Sequence, residues 1–310
     1  AMSPFCSFWM LLSLCLRRIA AWQHLPSLDL LPGSSSPSHF RRAPVALLRA
    51  RAAAMTTQSA AHQTERADVV LYTARSSFPA FNGWKLTILL EELSIPYKIS
   101  LLDLDKREHK QEWFLAINPN GRIPAIVDYT ATPPVSVFES GAIMLYLAEK
   151  YQRFIGDPSH PTQRWDVIQW LFFQCSGVGP IQGQAHAFLR YVPERLPYAI
   201  ERFQGETRRL YEVVNERLGK CTYIAGDHYC IADMALYPWL EYHQWAGVSV
   251  ADLPHLQRWL EEVRQRPAVE RARKLSMEGK DIDTLLAKAA DIQKVVEGST
   301  LDKTDKTKTY

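Results

Sequence analysis

Residues 118–128 read Asn-Pro-Asn-Gly-Arg-Ile-Pro-Ala-Ile-Val-Asp, and residues 138–151 read Phe-Glu-Ser-Gly-Ala-Ile-Met-Leu-Tyr-Leu-Ala-Glu-Lys-Tyr. The first stretch opens with Asn, Pro and Gly, the residues of a turn, and runs into a short apolar strand. Pro124 stands at that junction, where an X-Pro bond is a candidate cis peptide. Such a bond would aim the Ile123 backbone N–H and C=O out of the sheet edge, where a small extended peptide could pair as an added strand. A plain proline at a turn-to-strand junction reads the same way. In the second stretch a strand meets a helix at Glu139-Ser140. The free N–H groups and partial positive charge of a helix start favour a carboxylate. Ser140 can add a hydrogen bond to that anion, and Glu139 can hold an ammonium beside it. The pair suits the amino-acid end of a peptide; a simple helix cap is the other reading.

Working outward, Asp68 to Thr73 is a β-branched and aromatic run that predicts a strand. A loop with Ser76, Ser77 and Pro79 follows, and Asn82-Gly83 opens a helix to about Leu93, with Asn82 as its N-cap. Tyr97 to Leu102 predicts a strand, Lys110 to Ile117 a short helix, and Ile123 to Asp128 and Val135 to Phe138 two more strands. Glu139 to Tyr151 predicts a helix with an apolar face of Ile143, Leu145, Tyr146 and Leu147. The order β-α-β-α-β-β-α makes a compact α/β unit with helices on a sheet. Beyond Gly156 the periodicity is helical throughout, over 161–175, from Pro197 onward, over 231–245 and over 254–266. The expected organisation is an unstructured segment over 1–66, an α/β domain over 67–152, an all-helical domain over 160–275 and a charged tail over 276–310.

Composition narrows the function classes. Of the 310 residues, 47% are apolar and 22% charged, as in ordinary globular protein. The net charge of +3 is unevenly placed. Residues 1–54 hold six Arg and one acid, a net +5, which leaves −2 on the rest. Nothing in that balance calls for a nucleic-acid partner. The five cysteines are scattered and form no C-x-x-C. That argues against a disulfide framework, a zinc site or a dithiol centre, and no metal is expected. The apolar run from Phe5 to Leu16 is short of the ~20 residues of a spanning helix, so no stable membrane insertion is expected. Residues 32–54 fit either a mitochondrial transit peptide or sequence upstream of a start at Met55. Met55 is the preferred start, which makes the expected location cytoplasmic, with a mitochondrial one as the alternative.

The combination of the strand pattern, N-P-x-G-x-I-P and then E-S-x-A-I-x-x-Y-L resembles the cytosolic glutathione transferase superfamily. Gly226-Asp-His-Tyr-Cys-Ile-Ala-Asp233 is similar to that family's cap of a buried helix. Asn82-Gly83, Trp170-Leu-Phe-Phe-Gln174 with Gly179-Pro-x-x-Gly-Gln184, and Tyr198-Ala-Ile-Glu-Arg202-Phe resemble the nu class and the fungal proteins related to a yeast nitrogen regulator (Ure2p-like). The resemblance implies a thioredoxin-like first domain, an all-helical second domain, a homodimer and glutathione as co-substrate. It places the Ile123 backbone and cis-Pro124 against the cysteinyl part of glutathione. Glu139 and Ser140 would lie at its γ-glutamyl end, Arg122 at its glycyl carboxylate with His109 nearby, and Arg202 would reach across the dimer.

The resemblance also makes the glutathione thiolate the nucleophile. A thiol has a pKa of ~8.5, so a donor that stabilises the anion raises the reactive fraction at neutral pH. Asn82 is the candidate donor. Relatives place a Thr two residues before this Asn; here that position is Ala80, and Ser76 or Ser77 are the candidate hydroxyls instead. The implied reactions are conjugation to a small electrophile, as in detoxification, and glutathione-dependent disulfide reduction without a protein cysteine. Gln182, Gln184, His186 and Tyr191 are expected to line the second-substrate pocket. Cys230 replaces the usual hydroxyl cap, which is expected to weaken its helix by up to ~1 kcal/mol. The alternatives are a non-catalytic glutathione-binding regulator and a fungal biosynthetic transferase dedicated to one metabolite.

Overall fold

The computed structural model describes residues 67–75, 80–157 and 159–277. The expectations for residues 1–66, for Ser76 and Ser77 and for the tail beyond 277 lie outside the described residues. The first half runs β1 (Val69–Arg75), α1 (Phe81–Leu93), β2 (Tyr97–Asp103), a 3₁₀ turn (Glu108–Lys110), α2 (Glu112–Leu115), β3 (Ala125–Asp128), β4 (Val135–Phe138) and α3 (Ser140–Lys150). The sheet order is β2-β1-β3-β4. β1 and β2 are parallel, as a crossover through a helix requires, and β3 and β4 are antiparallel to their neighbours. This is the thioredoxin-like arrangement expected from the sequence.

Side-chain alternation gives the sheet two buried faces. Val69, Leu71 and Ile126 pack with α1 and α3, whereas Ala125 and Val127 pack with Phe114 of α2. Asp128 ties β3 to α3. It accepts hydrogen bonds from Tyr146 Oη at 2.6 Å and from Thr130, and it pairs with Lys150. Burial alone would raise its pKa, but these partners hold it at about 2.

The second half is helical: α4 (Pro161–Phe173), a π turn (Gln174–Val178), α5 (Gly179–His186), a second π turn (Ala187–Tyr191), α6 (Pro197–Leu218), α7 (Ile231–Glu241), a 3₁₀ turn (His243–Ala246), α8 (Pro254–Arg264) and α9 (Pro267–Met277). The expected boundary at 152–160 falls in the loop before α4. One apolar core nevertheless runs from α1 and α3 through α4 to α9.

Three expectations need correction. The helix expected over 110–117 is a 3₁₀ turn and a single helical turn, and α5 and α9 were not foreseen. Gly179-Pro180 resembles a break, yet Pro at the first turn of a helix costs no hydrogen bond; Pro267 starts α9 in the same way. Asn82 does not cap α1. Its N-cap is Ala80, whose carbonyl accepts the Trp84 N–H at 2.9 Å, so the helix starts before Asn82.

Gly83 fixes how closely α1 lies on β1. A Cβ there would stand 2.2 Å from Thr73 Oγ1, while the Thr73 Cβ would be 3.2 Å away. Gly83→Ala is therefore expected to lose about 1–3 kcal/mol from overpacking, despite alanine's better helix propensity of roughly 1 kcal/mol. A Thr73→Ala change in the same chain removes the clashing oxygen and should recover more than half of that loss in a urea-melt cycle.

Candidate active site

The topology gathers the implicated residues at one end of the sheet. β1 and β2 run parallel and both finish there. Tyr72 of β1 pairs with Ala125, the first residue of β3, and Ala125 pairs with Phe138, the last residue of β4. The start of α1, the Ile123–Pro124 peptide and the Glu139–Ser140 junction therefore leave the sheet at the same end. Ile123–Pro124 is cis, as expected.

At the start of α1, Asn82 is half-buried and faces the helical half of the molecule. Trp239 of α7 donates from Nε1 to Asn82 Oδ1 at 3.3 Å. An indole N–H can only donate, so the atom facing it must be the amide oxygen. The Asn82 amide nitrogen is thereby turned away from Trp239. Phe81 beside it packs on Trp239, Tyr242 and His186, at ring separations of 5.1, 5.1 and 5.5 Å.

Of the glycyl-end candidates, Arg122 lies on the loop before β3 and His109 on the 3₁₀ turn Glu108–Lys110. Asn118 donates to the Arg122 carbonyl at 2.6 Å, and Lys110 Nζ to the Gly121 carbonyl at 2.7 Å. Gly121 has φ +58°, and a Cβ there would approach the His109 carbonyl to 2.9 Å, so the tight loop needs glycine. The Arg122 side chain is exposed. Partial burial lowers the His109 pKa, and the charges of Lys110, Arg107 and Arg122 lower it further. Three cations, Lys110, Arg107 and Arg122, thus share this corner with His109, a field that favours a carboxylate.

At the third corner Glu139 is exposed and held at φ +69°, ψ 119°. That is sparsely populated backbone for a residue with a Cβ, and strain of this kind concentrates at ligand-holding sites. Ser140 is buried at the start of α3. Lys85, fully enclosed on α1, donates to Ser140 Oγ at 3.2 Å and to Gln174 Oε1 at 2.5 Å. Burial pulls its pKa down to about 8, with the Cys175 thiol and the Glu139 carboxylate opposing that shift. Sequence reasoning missed Lys85. The available signal was a lone charge inside the otherwise apolar run from Trp84 to Leu90.

Other expected residues fall elsewhere. Arg202 lies exposed on α6, 4.0 Å from Glu206. Gln182 and His186 are core residues, not pocket lining: Gln182 donates to the Trp239 carbonyl at 2.7 Å, and His186 stacks on Trp239 at 5.8 Å and 11°. Burial, with a smaller push from Arg190, drops the His186 pKa to about 3, so it is neutral at physiological pH. Gln184 is exposed, and Tyr191 accepts a hydrogen bond from Trp245. Cys230 does cap α7, in a reciprocal capping box: its side chain faces the Asp233 backbone N–H, while its own backbone N–H and thiol reach Asp233 Oδ2 at 3.0 and 3.2 Å. Cys175, Cys221 and Cys230 are all free thiols.

The comparisons agree with this fold. Residues 82–150 match the glutathione S-transferase N-terminal domain and residues 185–267 the C-terminal domain. The chain is 44% identical over 198 residues to the disulfide-bond oxidoreductase YfcG of Escherichia coli, covering 63% of this chain and 91% of that protein. Glutathione transferase URE2P6 of Phanerochaete chrysosporium, solved with oxidised glutathione, superposes with a TM-score of 0.64 at 35% identity, over 68% of this chain and 97% of that one. A glutathione transferase from Burkholderia graminis, solved with two glutathione molecules per subunit, gives 0.65 at 33% identity, over 73% and 96%. Sheet, helical half and sequence agree over the same residues, and the chain belongs to the glutathione S-transferase superfamily as a Ure2p-like member.

Proposed function

We propose that this protein is a glutathione-dependent enzyme whose principal reaction is disulfide reduction, with conjugation to small electrophiles open to the same thiolate. The observation that carries the reading is the Trp239–Asn82 hydrogen bond. It commits the amide oxygen and leaves the amide N–H groups to stabilise a sulfur anion at the start of α1. A shift of two pKa units in the bound thiol corresponds to about 2.7 kcal/mol. The name of its relative YfcG, a disulfide-bond oxidoreductase, supports the choice of reaction.

In this reading the Ile123 backbone pairs with the cysteinyl part of glutathione, and Arg122 holds the glycyl carboxylate with His109 beside it. Glu139 holds the γ-glutamyl ammonium, and Ser140 donates to the γ-glutamyl carboxylate. The thiolate attacks one sulfur of the substrate disulfide, the S–S bond breaks, and the departing thiolate takes a proton from solvent. A second glutathione thiolate then attacks the glutathione sulfur of the mixed disulfide, releasing the second substrate thiol and oxidised glutathione. The two-glutathione occupancy of the Burkholderia graminis structure is compatible with that sequence.

A homodimer, with Arg202 of each subunit reaching the other's glutathione, is supported by the exposed Trp165, Phe172 and Tyr198 on α4 and α6. A cytoplasmic location fits the free thiols; no described helix is long and apolar enough to cross a membrane.

The test is reduction of hydroxyethyl disulfide by the full chain with glutathione. Turnover with bound glutathione supports the reading. Binding without turnover leaves conjugation, which an aryl-halide assay reports. Trp239→Phe keeps the ring but removes the N–H, so Asn82 can flip. It is expected to lower kcat by about three- to tenfold, the worth of roughly one hydrogen bond, while KM for glutathione holds. An unchanged kcat would remove Trp239 from the account.

A further inference from the structure

Lys85 has an unusual environment. It is fully buried, and its hydrogen-bond partners, Ser140 Oγ and Gln174 Oε1, are both neutral. Among the described residues no carboxylate lies within ion-pair distance of its ammonium. Buried charges are ordinarily paired, because desolvation is expensive. Burial lowers the Lys85 pKa, and the nearby Glu139 carboxylate and Cys175 offset only part of that shift. Three elements nonetheless converge to hold the ammonium in place: α1, the first residue of α3 and the π turn at Gln174. π segments of this kind are frequent at functional sites.

We propose that Lys85 is a positioning and charge-completing residue for the γ-glutamyl carboxylate of glutathione, acting through Ser140. The inference rests on the glutathione reading given above and deepens it. The hydrogen bond from Lys85 occupies the Ser140 oxygen as an acceptor, which frees the Ser140 O–H to donate outward. Donation into a hydroxyl strengthens the hydrogen bond that the hydroxyl makes in turn. The arriving carboxylate adds negative charge beside Lys85 to what Glu139 already supplies from outside ion-pair distance. Glu139, on the exposed side of the same junction, takes the ligand's ammonium rather than that of Lys85. The site therefore selects ligands that carry a free α-carboxylate at this end.

The experiment compares two ligands by calorimetry on the full chain: glutathione, and γ-aminobutyryl-cysteinyl-glycine, which lacks only the γ-glutamyl α-carboxylate. The wild type should bind glutathione at least thirtyfold more tightly. Lys85→Met should weaken glutathione at least tenfold and leave the analogue within twofold, so that the two affinities converge. A structural role alone would weaken both ligands alike, and that result overturns the inference. Equal glutathione affinity in wild type and Lys85→Met also overturns it, while the glutathione reading survives. Failure of the wild type to bind glutathione overturns both. Should Lys85→Met fail to fold, Lys85→Gln, which removes the charge but can still donate, should weaken glutathione by a smaller factor and leave the analogue within twofold, and equal weakening of both ligands overturns the inference.

Discussion

Replacing Asp233 by alanine is expected to cost about 3–5 kcal/mol of stability, in the range for stripping the acceptor from a buried charged network. Asp233 is fully buried at the start of α7. Its Oδ1 accepts the Ile224 N–H at 2.9 Å and Trp259 Nε1 at 2.8 Å, while its Oδ2 accepts the N–H and the thiol of Cys230. One side chain thus joins the start of α7, the turn before it and α8. Alanine leaves all these donors without acceptors in a site water does not reach, and adds a cavity against Trp259. For a protein of this size the loss corresponds to a fall in Tm on the order of 10 °C. Asp233→Asn, which keeps one oxygen but turns an amide N–H toward Cys230 or Trp259, should fall between. Thermal and urea unfolding of the three proteins checks the order, and an alanine variant within 1 kcal/mol of wild type would refute the network's importance.

The same network shows what the sequence could disclose. Gly226 to Asp233 was readable because a cap and its acidic partner sit at fixed local spacing. The turn at 118–121, the Pro124 junction and the Glu139 helix start were readable for the same reason, since their chemistry is local. Three features were not local. Asn82 looks like an N-cap by type, but its oxygen is taken by Trp239, far away in the chain, and the helix begins before it. Gln182 and His186 have the polarity of a pocket wall, yet the stacking of His186 on Trp239 places them in the core. Lys85 would ordinarily be assigned to solvent, and only the packing of α3 and the π turn over α1 encloses it. The helix α9 was obscured by Pro267. Its place follows from long-range pairs, Arg266 to Glu92 and Arg271 to Glu91, each at 2.6 Å, which clamp it to α1.

The sharpest consequence of the Asn82 geometry concerns Asn82→Asp. Aspartate has the same shape and still offers an oxygen to the Trp239 N–H, so the fold should be retained. It replaces the outward donor with a second oxygen and adds a negative charge. Two unit charges 4 Å apart at an effective dielectric of 20 repel by about 4 kcal/mol. Even partial expression of that repulsion, added to the lost hydrogen bond, should raise the pKa of the bound thiol by at least about two units relative to wild type. At neutral pH the thiolate fraction, and with it disulfide turnover, should then fall roughly a hundredfold, since each unit is worth about 1.36 kcal/mol. The sign of the pH dependence is fixed. A raised thiol pKa means that activity is recovered as pH rises, so the gap to wild type should narrow steadily above neutrality. Asn82→Ala removes the donor without adding charge, and its loss should be nearer tenfold. Thiolate absorbance of bound glutathione and the pH–rate profile report the same quantity independently. A hundredfold loss with no shift in either would mean that Asn82 positions the ligand rather than stabilising its anion. A shift of the expected sign in both, with glutathione affinity largely retained, would place the effect on the sulfur itself, because a purely steric role has no reason to weaken as pH rises.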